Sequence, residues 1–439
     1  MRSFNSIFLL YLSLFSFQYI SSKLFENQSF TEEEVIATIT TDDEEALRDA
    51  LLILWKFGGI IYIDTPVINI KEQTSLSIKG TYEGGIIGLQ QANGEYPRLN
   101  FKGQRDSVSL LYMAGIVLIG ENKRLQYLII ENAGTSGIYI SGQKNTVDHV
   151  ITRYNGQSGI YLSPDTDSNT FNYCYSYRNF HFLENDLVAD GFTVEIGGIN
   201  NVFNYCFAWD NSENGFGYYY WDGKNKNGAL TYTHSASWNN GNIDVFSGRY
   251  DFNNGEELDK NLWTIQKIIE SDEFFELFYE NRIFDLEEAT INSKPAEKYF
   301  EEYNKENGGN GFNFGHEKNE QTSVNRRTID YCVSFDNREK GYSSNKSKDF
   351  TGLFTNSVGF SNNMNYDLPY SFVKWNNNWS WGSNKEDIFN LVVNTKEPRD
   401  KNSSKKNFNS VRDQIIKAVY ANTFPESINF DKVIKGLTE

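Results

Sequence analysis

The chain has 439 residues, 39% of them hydrophobic and 15% aromatic, with only seven prolines, a composition too rich in packing side chains for a disordered polymer. A formal charge of −17 excludes the basic footprint that nucleic-acid binding needs. No Gly-rich phosphate loop, Cys-x-x-Cys pair or Ser-His-Asp set is present, which removes the commonest nucleotide, zinc and serine-hydrolase readings.

Residues 1–22 have the form of a signal peptide: Arg2, an apolar run Ile7–Phe17, then small residues at Ser21 and Ser22. The run is too short for a comfortable membrane span and no later one is longer, so a secreted, extracellular protein is expected. Sequons at Asn27, Asn345, Asn378 and Asn402 would then be open to glycosylation. Residues 42–57 form the first predicted helix, with Thr41 or Asp42 as cap and Ala46, Leu47, Ala50, Leu51, Leu54 and Trp55 as its apolar stripe. Gly58-Gly59 ends it, and alternating residues from Ile60 begin the strands. A short helix here would cover strand edges at the open end of a stack.

From Thr146 a degenerate repeat sets in. The segments Thr146–Asn155, Thr170–Asn179, Val202–Asn211, Leu230–Asn239, Thr328–Asn337 and Leu353–Asn362 each run ten residues and end in Asn. Gly and an apolar residue return shortly afterwards, as in Gly159-Ile160, Gly215-Phe216 and Gly341-Tyr342, or after an inserted loop at Gly191-Phe192 and Gly311-Phe312. Alternation in Val147, His149 and Ile151 reads as strand, and a unit this short cannot bury its apolar face without stacked neighbours. The fold class is therefore all-β: a parallel β-helix spanning 23–400, with the recurrent Asn forming an internal ladder at a bend. Cys174, Cys206 and Cys332 share the fifth position of their segments, with His234 expected between them. Neighbouring coils lie about 4.8 Å apart, rather far for a disulfide, so free buried thiols are expected. His149 is expected, like His234, inside a strand.

Residues 248–306 break the repeat with helical spacing, and between Glu256 and Glu306 the chain has 15 acidic and 6 basic residues, −9 of the total charge. A solvated helical insertion is the simplest reading, a partner-binding arm the other. Val411, Ile415, Ile416 and Val419 predict a helix in 401–439 that serves as the second cap.

The densest polar constellation spans two consecutive coils, with Glu184, Asp186 and Asp190 in one and Asp210, Glu213 and Asn214 in the next. Oxygen ligands on one rigid edge suit a hard cation such as Ca²⁺, while Asp, Asn and Gly equally serve ordinary turns. Three stretches carry a family resemblance: Asp190-Gly191-Phe192 with Asn201 to Phe216, Gly309-Asn310-Gly311-Phe312-Asn313-Phe314-Gly315, and Asp330 to Tyr342. In these the chain resembles the family-nine polysaccharide lyases, right-handed parallel β-helix pectate lyases, over about Ile60 to Asn363. The resemblance implies Ca²⁺-assisted β-elimination on polygalacturonate. A cation on the uronate carboxylate stabilises the enolate-like charge while a basic side chain takes the C5 proton.

Carried over by position, Asp190 matches the first calcium ligand, Glu213 the second and Asn214 the third; Gly217 stands at the fourth, without a side-chain ligand. The catalytic lysine position is Asn313, whose amide cannot act as a base. Substitute cations are sought in Arg249, Arg326, Arg327 and Lys340, and His316 is a further candidate base. The aromatic run around Trp209, Tyr218, Tyr219, Tyr220 and Trp221 could bind sugar or stack in the core. Four functions follow: a pectate lyase with a displaced base and weakened Ca²⁺ site, an inactive binder of acidic polysaccharide, a β-helix glycoside hydrolase, or a ligand-free structural protein. A monomer is expected.

Overall fold

A computed structural model of the chain describes residues 34–106, 114–164, 166–179, 189–195, 200–219, 229–242, 290–291, 294–295, 308–315, 325–344, 350–368, 374–389 and 401–425. Residues 1–22, Glu184, Asp186, Arg249, His181, His316, Tyr220, Trp221 and nearly all of the 248–306 insertion lie outside them; of that insertion only an antiparallel pair, Thr290–Ile291 with Lys294–Pro295, is described.

Apart from that pair, every strand pairing among the described residues is parallel, so the spiral expected from the repeat is the architecture observed. Nineteen strands form a bent sheet that folds around two sides of the spiral, and ten form a second sheet closing the third. The ten-stranded sheet positions the candidate site. Seven of its strands are labelled here: β1 (Ile138–Gln143), β2 (Ile160–Leu162), β3 (Phe192–Glu195), β4 (Phe216–Tyr219), β5 (Phe312–Asn313), β6 (Lys340–Ser343) and β7 (Met364–Leu368).

The core is a set of columns. Ile138, Ile160, Phe192, Phe216, Phe312, Tyr342 and Tyr366 occupy one register position on successive coils and point inward. Their rings stack at 4.8, 4.6, 5.1 and 5.0 Å from Phe192 to Tyr366. Burying one such side chain is worth about 1.5–3 kcal/mol, so each added coil supplies much of its own stability.

The Asn ladder is present and continuous. Asn155, Asn179, Asn211, Asn240, Asn337 and Asn362 each pass an amide hydrogen bond to the next rung at 2.9–3.0 Å, the last of them to Asn365. The fourth rung is Asn240, which shifts that segment by one residue to Thr231–Asn240, because Val202 pairs with Thr231. This slip also corrects the cysteine column. Ser235, rather than His234, stands between Cys206 and Cys332, and its Oγ accepts from the Cys206 amide at 3.2 Å. All three thiols are free and buried, as the coil spacing requires.

His149 lies in a strand, Thr146–Arg153, as expected, whereas His234 falls at a bend between two strands. Both sit at an outer corner with left-handed backbone, φ 50° and 49°, in line with Tyr127, Tyr173, Tyr205 and Tyr331. The bend at His149 resets the alternation, so Val147 and Val150 point inward. Left-handed backbone costs a residue with a Cβ roughly 1–2 kcal/mol. Here the rings from Tyr127 to Tyr331 stack at 4.7–5.1 Å, each pair contributing about 0.5–1.5 kcal/mol, which offsets that cost.

The N-terminal helix α1 (Glu44–Phe57) caps the first coil, with Asp43 rather than Thr41 or Asp42 accepting the Ala46 amide at 2.9 Å. Leu47, Ala50, Leu51 and Leu54 enter the core. Trp55 does not: it is exposed and lies under the Lys79 ammonium at 4.2 Å. Asp42 and Glu44 accept the backbone amides of Asn69 and Lys71, tying the cap to an edge that would otherwise be open.

The C-terminal helix α2 (Lys401–Tyr420) lies along the flank of the spiral, with contacts far from the last coil. Ile415 and Val419 cover outward-facing rings of the nineteen-stranded sheet, a ladder running Tyr177, Trp209, Trp238, Phe335, Phe360, Trp381. At its far end Arg153 reaches the Val419 carbonyl and Asn422. Trp209 thus belongs to the flank and not to a sugar site. Asn378, one of the four sequons, is fully buried, donating to the Phe354 carbonyl and accepting the Ser357 amide, so it cannot take a glycan in the folded chain. Among the described residues no helix is long and apolar enough to cross a membrane.

Candidate functional site

Asp190, Asn214, Asn310 and Lys340 precede Gly191, Gly215, Gly311 and Gly341, and the amide of each glycine but the last bonds the carbonyl of the next residue in that column. The four therefore occupy one bend on successive coils at the mouth of the ten-stranded sheet. Thr193 pairs with Gly217, and Asn313 pairs with Ser343, which pairs with Asp367. Because Phe216 pairs with Phe312, Gly217 and Asn313 are neighbours on the same outward face. Asp190, Asn214, Gly217 and Asn313 thus share one side of the spiral, as the repeat implies.

Asp190 is fully buried. Its Oδ1 accepts from the Asn214 amide nitrogen at 2.9 Å, from Asn214 Nδ2 at 3.0 Å and from the Tyr219 hydroxyl at 3.2 Å. Its Oδ2 accepts from Thr193 Oγ1 at 3.0 Å. Burial pushes its pKa up to about 7, against the pull of those donors, which favour the anion. Asn214 in turn accepts from Asn310 N and Nδ2 at 3.0 and 2.8 Å, so this bend holds a second, shorter ladder. A carboxylate has no N–H to pass on, and Asp190 is accordingly its first rung.

Tyr219 is the residue that sequence reasoning placed only in an undivided aromatic run. Tyr218 points inward and is covered by the Arg327 guanidinium at 4.4 Å; Tyr219, one residue on, points outward. Its ring turns back over Gly217, and its hydroxyl meets Asp190 and Asn214 at 3.2 and 3.1 Å. Glu213 faces the same hydroxyl, and burial together with the Asp190 and Glu213 charges raises the phenol far above its ordinary range. A Cβ added at Gly217 would lie 1.9 Å from Asp190 Oδ2 and 2.8 Å from Tyr219 Cε2.

This donor set does not fit calcium. A Ca²⁺ ion takes 6–8 oxygens, mostly anionic or carbonyl. Here the Asp190 oxygens are committed to four donors, the Asn214 oxygen to two, and the Tyr219 ring fills the space of a fourth ligand. Among the described residues no cluster of three His, Cys, Asp or Glu has metal-ligand geometry.

Asn313, in the lysine position, is 4% exposed, and its Oδ1 accepts the Gly315 amide at 3.4 Å. None of the described substitutes joins it. Arg326 is exposed on the nineteen-stranded sheet. Arg327 is buried inside the spiral, donating to the Phe314 carbonyl at 3.3 Å, behind the sheet whose outer face carries Tyr219. Lys340 lies in the Asp190 column but is ion-paired with Asp367 at 2.5 Å.

The same outer face extends toward the earlier coils through residues the motif comparison passed over. Tyr139 and Tyr161 stack at 5.4 Å, both half-buried, in the column that continues to Thr193 and Gly217. The Tyr161 hydroxyl bonds Glu195, whose carboxyl burial raises. Counting in steps along the register from Gly217 would have found both tyrosines.

A family profile described as "Pel9A-like, right handed beta helix region" matches residues 38–257. The chain belongs to this family. It is a right-handed, polysaccharide-lyase-like β-helix. Among solved structures, pectate lyase Pel9A superposes with a TM-score of 0.59 at 17% identity, covering 91% of this chain and 88% of that one. A rhamnogalacturonan lyase follows at 0.51 and 14%, covering 91% and 96%. No functionally curated protein matches the chain in sequence.

Proposed function

We propose that this chain is an exported carbohydrate-binding β-helix that holds an acidic polysaccharide of the polygalacturonate type on the outer face of its ten-stranded sheet, without eliminating it. The observation that carries the reading is Asn313 in the position where the resembling lyases place their base. Proton abstraction next to a uronate carboxylate needs a neutral amine or guanidine in reach, and an amide is many orders of magnitude too weak. Lys340, the cation in the nearest column, is engaged in an ion pair with Asp367.

Binding retains better support. Tyr139 and Tyr161 offer half-exposed rings for the C–H faces of pyranose units, with Glu195 fixing the Tyr161 hydroxyl. Beyond Asn313, the Lys340–Asp367 pair supplies hydrogen-bonding groups along the same line of coils. The neighbouring solved structures, a pectate lyase and a rhamnogalacturonan lyase, make a uronate-containing polymer the first ligand to try. Export rests on the 1–22 segment.

The test combines retention on immobilised polygalacturonate with absorbance of unsaturated product at alkaline pH in calcium, for wild type and Asn313→Lys. Retention that falls in Tyr161→Ala, with no product from either protein, is expected. Calcium-dependent product from the wild type, or no retention of the wild type, would sink the proposal.

A further inference from the structure

We infer that the Tyr219 hydroxyl is the resident occupant of the position that a cation holds in the lyases this chain resembles, so that the bend formed by Asp190, Glu213 and Asn214 is a closed hydrogen-bonded node with a latent cation site beneath it. The inference is independent of glycan binding and stands on geometry at four residues. The three side chains carried over as calcium ligands all face one point, and that point is a phenol oxygen from this chain's own β4. The fourth position is glycine, and the ring of Tyr219 passes within 2.8 Å of where its Cβ would be. A Cβ at 217 would meet both Asp190 Oδ2, at 1.9 Å, and the Tyr219 ring, so glycine at 217 goes with the ring that lies over it.

The chemistry is consistent with that exchange. A divalent cation at this bend would hold Asp190 and Glu213 together by charge. The hydroxyl instead donates to the Asp190 carboxyl at 3.2 Å and accepts from Asn214 Nδ2 at 3.1 Å, with Glu213 facing it. It needs no metal and leaves the Asp190–Asn214–Asn310 ladder intact. Asn suits position 214 for the same reason: its Nδ2 donates to Asp190 and to the phenol while its oxygen accepts from Asn310, a split role that an aspartate could not fill.

The experiment is thermal unfolding of wild type, Asp190→Asn, Tyr219→Ala and Tyr219→Ala/Gly217→Asp, each in millimolar calcium and in chelator. A closed node predicts that wild type and Asp190→Asn respond to calcium identically. It also predicts that removing the ring produces a calcium-dependent rise in Tm, larger in the double variant. An Asp190-dependent calcium response in the wild type overturns the inference directly, and this arm needs no variant at position 219. Folded 219 variants, judged by their circular dichroism, that show no calcium response would remove the latent site. Failure of polygalacturonate binding would leave each of these outcomes unchanged.

Discussion

Two bends of the same spiral carry hydrogen-bonded ladders, and their side-chain amides donate in opposite directions, toward later coils in one and toward earlier coils in the other. From Asn155 to Asn337 each amide accepts from the coil before and donates to the coil after, and Asn362 ends the run on Asn365, three residues on. The Asp190–Asn214–Asn310 ladder begins in a carboxylate, which only accepts, and it recruits Thr193 and Tyr219 as extra donors. The first bend is self-sufficient and repeats along the stack. The second is a specialised site whose solution depends on a side chain from the neighbouring strand.

Breaking the amide ladder in its middle is expected to have the largest effect. Asn211→Ala leaves the backbone amide and Nδ2 of Asn179 without their acceptor, and at about 1–3 kcal/mol for each orphaned buried donor plus the cavity, roughly 5 kcal/mol of stability should be lost in urea unfolding. Breaking the carboxylate ladder should show instead as pH dependence. The Asp190 pKa rises from 3.8 unfolded to about 7 folded. The folded state therefore binds its proton more tightly, and this contribution is complete below about pH 3.8 and lost as pH rises through 7. At about 1.4 kcal/mol per pKa unit it amounts to on the order of 4 kcal/mol, and Asp190→Asn should flatten that part of the pH–stability curve.

Smaller effects sharpen the contrast. Tyr219→Phe keeps the ring over Gly217 and removes one donor from a carboxyl that retains Asn214 and Thr193, so a loss of about 1–2 kcal/mol at neutral pH is expected by chemical denaturation. A change as large as that in Asn211→Ala would mean that the two bends are not different in kind. The smallest effect is a null result: peptides spanning Asn378 should be unglycosylated by mass spectrometry in a glycosylating host, since this amide is fully buried and bonded to the Phe354 carbonyl.

The parallel stack, its internal Asn ladder, the buried free thiols and the shared face of Asp190 and Asn313 all follow from residue order. Periodic stacking makes a position in one repeat the neighbour of the same position in the next. Where that rule was applied with a one-residue slip, at Thr231–Asn240, it misplaced His234 and overlooked Ser235, because a strand's side chains reverse face with every single step. The left-handed corners at His149 and His234 were hidden for a related reason: an imidazole in an alternating run looks like strand until a neighbouring ring is seen stacked on it.

Tertiary structure alone decided where α2 lies, since an amphipathic helix records that it has a buried face and not which surface covers it. It alone separated Tyr218 from Tyr219, sending one ring under Arg327 and the other over Gly217. The substitutions at 217 and 313 were legible as losses in the chain's order of residues; that the first of these losses is filled by a phenol became visible only when β4 was laid beside Asp190. Sequence determines which residues recur at a given step of the spiral. The folded packing determines which of them turn back across the gap to meet.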